Sequence, residues 1–309
     1  MRFLSLLFSL WLTVFAGAFA HASVAVVIVS SERSLAYVEA AEALVSELER
    51  GGLSRYDMLQ LTAREWAAAG PMTPKLFVAL GTDAANALAK SELRAPVLST
   101  LLPRSSFERV LRLNGRKSSS QFSALYLDQP LNRQLELIRL ALPAARRIGV
   151  LWGAESQAQA PALKISVQAS GLDLIEATVG RDELLFSSLK SVLEDADLLL
   201  AVADPQLYNS SSIQNILLAS FRAKVPLVAF SPAYVRAGAL LALHVTPTQI
   251  GQQAAAIARG VLQGKALSVN PVYSQDFSVA VNEHVARSLG LTLDANTLRA
   301  RLRSREGLL

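Results

Sequence analysis

From Ser23 onward, short runs of β-branched residues and leucine alternate with amphipathic stretches of helical period. Apolar runs without internal polar alternation indicate strands buried on both faces, as in parallel sheets flanked by helices. The predicted strands are 24–29, 56–61, 76–80, 96–101, 122–127, 147–152, 172–177, 197–202, 226–230, 240–245 and 277–281. These are too many for one small sheet, so the sequence predicts an α/β protein with two Rossmann-like lobes, each with a parallel sheet.

Two of the predicted helices have capping boxes at their start. Thr246 and Gln249 form one around Pro247, which would be the first helical residue, and Ser211 and Gln214 form the other. Both boxes place a helix directly after a turn.

The chain repeats one plan in two halves, from residue 23 to about 126 and from about 128 to 239. With 309 residues, 51% of them apolar, it is long enough for two cored domains. In such sheets ligands lie beyond the carboxyl ends of the strands. The turns that follow strands are therefore where a binding site is expected.

The N-terminus has the pattern of a signal peptide. Arg2 precedes an apolar stretch over 3–16, and the small residues that follow favour cleavage near Ala20 or Ala22. A membrane anchor is the alternative interpretation, but the stretch is shorter than the roughly 20 residues that span a bilayer. We therefore expect residues 1–22 to be removed and the mature protein to lie in the periplasm. The sequence contains no cysteine and so no disulfide.

The net charge of +5 comes largely from arginines near the C-terminus: Arg299, Arg301, Arg303 and Arg305. A nucleic-acid surface is one interpretation of this cluster. A solvated terminal helix, whose macrodipole favours cations at its end, fits an exported protein better. No nucleic-acid partner is predicted.

Signatures of enzymes and cofactor sites are absent from the sequence. It has no G-x-G-x-x-G, G-x-S-x-G or H-E-x-x-H motif, and the Gly260 to Lys265 segment is too short for a phosphate loop. His21, His244 and His284 are too scattered to indicate a metal site or a catalytic triad. The sequence predicts no enzyme, no cofactor and no metal.

Small polar residues recur where predicted strands turn into helices. Free N–H groups at helix N-termini, converging on one cleft, could hold a carboxylate or another polar group. Each residue alone could equally be an N-cap or turn residue. The candidate ligand-binding residues are Ser31, Thr82, Asp83, Thr100, Asp128, Gln129, Ser156, Gln157, Asp204, Ser231 and Tyr234. Tyr234 and Trp152 could stack on a ligand, and Trp152 could instead belong to the core or a hinge.

Several segments together resemble one family of binding proteins. They are 80–85, 134–143, 147–152, 225–230, 238–240, 250–254, 281–282 and 286–290, and they cover nearly all of the mature chain. In these segments the chain resembles the ABC-transporter substrate-binding proteins of the tryptophan-binding, TrpX-like group, which have the type I periplasmic binding protein fold.

The resemblance implies two lobes that close over a ligand by a hinge, with three crossings near residues 127, 240 and 265. It assigns 23–126 and 240–264 to the N-terminal lobe, and 127–239 and 265–309 to the C-terminal lobe. It also implies that six of the candidates occupy loops lining the cleft: Thr82, Asp83, Ser156, Asp204, Ser231 and Tyr234.

Three functions follow as hypotheses. The first is a monomeric periplasmic receptor that captures a small organic solute, by family an amino acid and possibly an aromatic one, and delivers it to an ABC permease in the inner membrane. The second is an envelope accessory or sensor protein of the same fold with weak or no ligand binding. Departures from the family pattern at 99–103 and 123–125 motivate it. The third is an exported α/β enzyme, which a cluster of perturbed titratable groups in the cleft would support.

Overall fold

Two six-stranded sheets form in the computed structural model, which describes residues 24–180 and 185–307. The first sheet contains β1 (Val26–Ser30), β2 (Met58–Thr62), β3 (Leu76–Leu80), β4 (Val97–Thr100), β5 (Phe122–Tyr126) and β11 (Val272–Tyr273). The second contains β6 (Arg147–Trp152), β7 (Asp173–Thr178), β8 (Leu198–Leu200), β9 (Leu227–Ala229), β10 (Leu241–His244) and β12 (Ser278–Val281). The predicted signal peptide lies outside the described residues.

The strand order is β11-β5-β4-β3-β1-β2 in the first sheet and β12-β10-β9-β8-β6-β7 in the second. Neighbours are parallel throughout, except that β12 pairs antiparallel with β10. The predicted α/β class with two mostly parallel sheets is confirmed. Sequence reasoning missed β11, because a strand of two residues has no periodicity to detect.

Helices cover both faces of each sheet. The first sheet packs against α1 (Leu35–Arg50), α2 (Ala63–Ala68), α3 (Thr82–Lys90), α4 (Arg104–Leu113) and α10 (Pro247–Leu262). The second packs against α5 (Leu131–Ala141), α6 (Ala160–Ala169), α7 (Leu185–Asp195), α8 (Ile213–Ala223), α9 (Pro232–Ala237), α11 (Glu283–Ser288) and α12 (Ala295–Arg305). We call these assemblies the first and second lobes. Within the described residues, no helix is both long and apolar enough to cross a membrane.

Strand β1 shows why the apolar runs are uninterrupted. Successive side chains of a strand point to opposite faces of the sheet. Val26 and Ile28 belong to the core under α1 and α10, whereas Val27 and Val29 belong to the core under α3 and α4. All four are at most 1% exposed, so a polar residue at any of them would be buried without water.

In the described part of the chain, three segments cross from one sheet to the other. They are 127–130, 245–246 and 274–277. The first crossing lies where it was expected, but the expected crossings near 240 and 265 are corrected. Strand Leu241–His244 lies in the second sheet, between β9 and β12, although 240–264 was assigned to the first lobe. Strand Val272–Tyr273 lies beside β5 in the first sheet, although 265–309 was assigned to the second. Apolar patterning predicts a strand but not its partner strands, so it could not place Leu241–His244. Strand Val272–Tyr273 was not predicted at all, because two residues show no period.

One of the two predicted capping boxes forms. Thr246 accepts the N–H of Gln249, and the Gln249 side chain accepts the N–H of Thr246. The box predicted at Ser211 is wrong, because the side chain of Asn209 accepts the N–H groups of Ser211 and Ser212 instead. Helix α8 therefore begins at Ile213 without a side-chain N-cap.

Candidate functional site

A cavity of about 70 Å³ lies between the lobes, where strands of both sheets end. Its walls follow or end β4, β5, β8, β9, β10 and β11, as expected for ligand sites of parallel α/β sheets. The lining residues are Pro103, Leu127, Asp128, Gln129, Leu131, Gln134, Gln159, Ala201, Val202, Ala203, Phe230, Leu243 and Tyr273. Two of the eleven candidate ligand-binding residues, Asp128 and Gln129, line this cavity.

The two lobes touch each other across this cleft. The Ser105 hydroxyl donates to the Ala203 carbonyl at 3.3 Å, and Nη1 of Arg109 lies 2.8 Å from Oε1 of Glu155. Sites for small organic molecules usually enclose roughly 300 to 1,000 Å³. At about 70 Å³, the cavity in this arrangement of the lobes is too small to enclose a molecule of amino-acid size.

Arg133 lies where the first and third crossings meet. This residue is 6% exposed, and its Nη1 donates to Oε1 of Gln129 at 2.8 Å and to the Ser274 carbonyl at 2.9 Å. Its Nε donates to the Glu306 carboxylate at 2.9 Å, and its guanidinium lies 4.5 Å from the ring centroid of Phe277. One buried cation thus joins the first crossing, the third crossing and the C-terminal helix.

The contact with Arg133 determines which end of the Gln129 amide is free. A guanidinium has only donors, so the Gln129 oxygen must face it, and Nε2 points away. Nε2 of Gln129 is buried and has no hydrogen-bond partner among the described residues, and the same is true of Nε2 of Gln159. Both residues line the cavity. Two unpaired amide donors therefore flank the space between the lobes.

Asp128 connects the first crossing to the start of α4. Its carboxylate accepts the backbone N–H of Arg104, whose side chain donates to Glu108 at 2.7 Å and lies 3.5 Å from the Tyr273 hydroxyl. Burial raises the pKa of Asp128 to about 6, against the opposing effect of the Arg104 N–H and guanidinium. The protonated form of this carboxyl group is therefore favoured over a wider pH range than in an exposed aspartate.

Ser156 and Asp204 bond to each other within the second lobe. Oδ2 of Asp204 accepts the Ser156 hydroxyl at 2.9 Å and its N–H at 3.0 Å, while Oδ1 accepts the N–H of Gln206 at 2.9 Å. A Cβ at Gly153 would lie 2.4 Å from the Asp204 carboxylate, so the close approach requires glycine. Neither Ser156 nor Asp204 lines the described cavity.

Ser31 occupies the N–H groups at the start of α3. Its hydroxyl donates to the last carbonyl of β3 and accepts the N–H groups of Asp83 and Ala84, each at 3.1 Å. The turn depends on Gly81, which has a φ of +90° and lies against Ser31. Thr82 is half-buried and Asp83 is exposed, and neither side chain makes a hydrogen bond within the described part of the chain. The predicted donor site at this helix start is already filled by the protein.

The remaining candidates have local roles. The Thr100 hydroxyl is buried in the first sheet and donates to a β5 carbonyl at 3.0 Å. Ser231 caps α9 by accepting an N–H at 3.3 Å, and the Tyr234 hydroxyl donates to the Tyr208 carbonyl at 3.0 Å. Gln157 is exposed at the start of a short 3-10 turn. None of these four side chains lines the described cavity.

Trp152 lies in the core of the second lobe. It is 2% exposed, and its indole N–H donates to Glu176 at 2.7 Å. Of the two interpretations of this residue, packing is the one that the structure supports.

Sequence reasoning missed several lining residues. Phe230 ends a predicted strand one position before Ser231, and Gln159 comes two positions after Gln157. The sequence predicted the correct loops but not the residues in them that line the cavity. Loops have no regular periodicity, so the sequence pattern does not show which way their side chains point. No sequence pattern indicated Tyr273, since it lies in the two-residue strand β11.

Two α/β lobes, joined by three crossings around a cavity at their strand ends, define a two-lobed binding protein. The sequence matches the family model described as ABC transporter substrate binding protein over residues 70–302. The chain belongs to this family, whose members bind substrates and are not enzymes. The resemblance drawn from the sequence is thereby confirmed.

Relatives and solved structures agree with this assignment. A curated relative from Clostridioides difficile, named tyrosine-binding protein, is 22% identical over 223 residues, which are 70% of this chain but only 63% of that relative. A ligand-free, open substrate-binding protein with adhesive properties from Clostridium difficile is 20% identical with a TM-score of 0.68, and the match covers 88% of this chain and 96% of that one.

A third similar protein is the ABC domain from Streptococcus pneumoniae, solved in complex with L-Trp. It is 17% identical to this chain with a TM-score of 0.60, and the match covers 88% of this chain and 97% of that one. At these identities the structural likeness establishes the two-lobed fold.

Proposed function

We propose that this protein is the solute receptor of an ABC importer, and that it binds an amino acid with an apolar or aromatic side chain between its lobes. The observation that carries the proposal is the pair of buried, unpaired amide donors at Gln129 and Gln159. A buried donor without a partner costs about 1 to 3 kcal/mol, which an oxygen atom of a bound solute would recover. A carboxylate offers two such oxygens.

The apolar walls of the cavity suit the rest of the solute. Phe230 and Tyr273 contribute aromatic rings, and Leu127 and Leu243 contribute aliphatic surface. The relatives named for tyrosine binding and solved with L-Trp support an aromatic amino acid as the first candidate. In this proposal the receptor is a periplasmic monomer that presents its closed form to an inner-membrane permease.

A thermal-shift screen of the amino acids, followed by titration calorimetry, tests the proposal. A ligand that binds only the folded state adds RT ln(1 + [L]/Kd) to stability, about 2.7 kcal/mol at 100 times Kd. Gln159→Met should weaken binding about tenfold, because one hydrogen bond to a carboxylate is lost. The matched control, Gln157→Met, changes an exposed glutamine of the same turn and should leave the affinity unchanged. Absence of binding across the amino acids would reject the proposal.

The internal bonding of Ser31, Thr100, Ser156 and Asp204 favours a second candidate, an envelope accessory or sensor protein with weak or no ligand binding. Native mass spectrometry of the purified protein separates the two candidates. A co-purified small molecule supports the receptor. An unliganded protein that also fails the thermal-shift screen supports the accessory role.

A further inference from the structure

A second cavity, of about 500 Å³, opens in the second lobe at the opposite end of its strands. It lies where strands β9 and β10 begin, whereas the cleft between the lobes lies where strands end. Val225 and Leu227 at the start of β9, Leu217 of α8, and Val285 and Leu289 at α11 supply its apolar walls. Its volume is within the range of sites for small organic molecules.

A buried hydroxyl at this cavity lacks a partner. Ser220 is one of the lining residues and is 3% exposed, yet its Oγ makes no hydrogen bond within the described residues. A helical serine usually donates to the carbonyl four residues earlier. An unpaired buried hydroxyl is unfavourable, and a polar atom of a ligand in the cavity would satisfy it.

Two cations lie at the mouth of the cavity. Arg222 and Lys224 both line it and are exposed, and neither forms an ion pair within the described parts of the chain. Helix α8 ends at Ala223, and its C-terminus contributes the equivalent of about half a negative charge. Two full positive charges outweigh that partial charge, so the mouth attracts anions.

We propose that this cavity is a second ligand site, separate from the cleft, for a small amphipathic carboxylate. The apolar part of the ligand packs against Leu217, Val225 and Leu289, and its carboxylate lies at Arg222 and Lys224. The Ser220 hydroxyl supplies a further polar contact. The site is independent of the proposed receptor function, because it uses no residue of the cleft.

The test uses 3-phenylpropionate as the probe, with 3-phenylpropanol and 3-phenylpropylamine as neutral and cationic analogues of similar shape. Methyl NMR of the labelled protein should show shifts at Leu217, Val225 and Leu289 on titration with the acid, and the acid should bind at least tenfold more tightly than either analogue. Equal affinity for acid and alcohol would overturn the proposal. So would shifts that occur only at the cleft residues Leu127 and Leu131.

Variants can distinguish the contribution of the two cations to binding from that of the apolar cavity. The double change Arg222→Gln and Lys224→Gln alters only exposed side chains and should weaken binding of the acid at least tenfold, with little effect on the alcohol. Ser220→Ala should weaken binding about threefold, and Leu289→Trp should abolish it by filling the cavity. Lys164→Gln, which removes an exposed charge from α6 of the same lobe, is the control and should have no effect. An unchanged affinity in the double variant would overturn the proposal.

Discussion

The carboxylate of Asp204 accepts both the hydroxyl and the backbone N–H of Ser156, at 2.9 and 3.0 Å. Ser156 follows β6 and Asp204 follows β8, which are adjacent strands of the second sheet. Both residues were predicted to bind a ligand from loops that line a cleft. Their mutual bonds indicate instead that they hold two loops of one lobe together.

We predict that Asp204→Ala lowers the free energy of unfolding by about 2 to 4 kcal/mol, because it leaves several donors unpaired in a buried site. Urea denaturation measures this change. The control, Asp83→Ala, removes an exposed carboxylate that makes no hydrogen bond within the described part of the chain, and it should change stability by less than about 0.5 kcal/mol. If Asp204→Ala kept wild-type stability and lost solute binding, Asp204 would be a ligand residue after all.

The pair between Arg109 and Glu155 should favour the closed arrangement of the lobes. Glu155 has a side chain only 10% exposed, so we assign the pair about 1 kcal/mol, or a fivefold change in the ratio of closed to open molecules. Glu155→Gln should therefore increase the open fraction, and added salt should do the same in the wild type.

Spin labels on the two lobes can measure this opening. The chain has no cysteine, so Lys90→Cys and Lys190→Cys would provide the only thiols, one on each lobe. Glu108→Gln is the control, since Glu108 pairs with Arg104 inside one helix. A distance distribution unaffected by Glu155→Gln would show that the pair does not influence closure.

Asp128 should make stability depend on pH between about 4 and 6. Its pKa is raised from 3.8 to about 6 in the folded protein, so in this window the folded state holds a proton that the unfolded chain has lost. Its contribution is complete below pH 4 and is lost as the pH rises through 6. Because Asp128 is only partly buried, we expect a loss of about 1 to 2 kcal/mol.

Denaturation of Asp128→Asn at pH 4, 5, 6 and 7 checks this prediction. The variant stays neutral, so its stability should change less over this range than that of the wild type. Asp173→Asn, at an exposed position of the second sheet, should follow the wild type. Identical pH profiles for Asp128→Asn and the wild type would contradict the prediction.

Arg133 should be among the residues most sensitive to substitution. Arg133→Met removes bonds to Gln129, Ser274 and Glu306, and should lower the free energy of unfolding by about 3 kcal/mol. Arg133→Lys keeps the charge but not the planar fork, so it should recover only part of that loss. Arg139→Met, on the exposed side of the same helix, is the control in urea denaturation. Equal effects of the two methionine substitutions would show that the buried bonds of Arg133 add nothing to stability.

The sequence by itself determined the α/β class, the strands of both sheets apart from β11, and the edge of the sheets where a cleft lies. These follow from local rules, since apolar runs such as 26–29 must be buried on both faces and parallel strands end at a common edge. The Thr246 capping box is local in the same way, which explains why it formed as expected.

Only the tertiary structure decided which polar side chains face the space between the lobes. Ser31, Ser156 and Asp204 meet partners 48 to 53 residues away in the chain, and these bonds take up the groups expected for a ligand. The orientation of the buried Gln129 amide was decided by its bond to Arg133, and the sheet of strand 241–244 was decided by the neighbouring strands with which it pairs. Hydrogen bonds between distant segments form only where the fold brings those segments close together. The periodicity of a sequence does not show which segments these are.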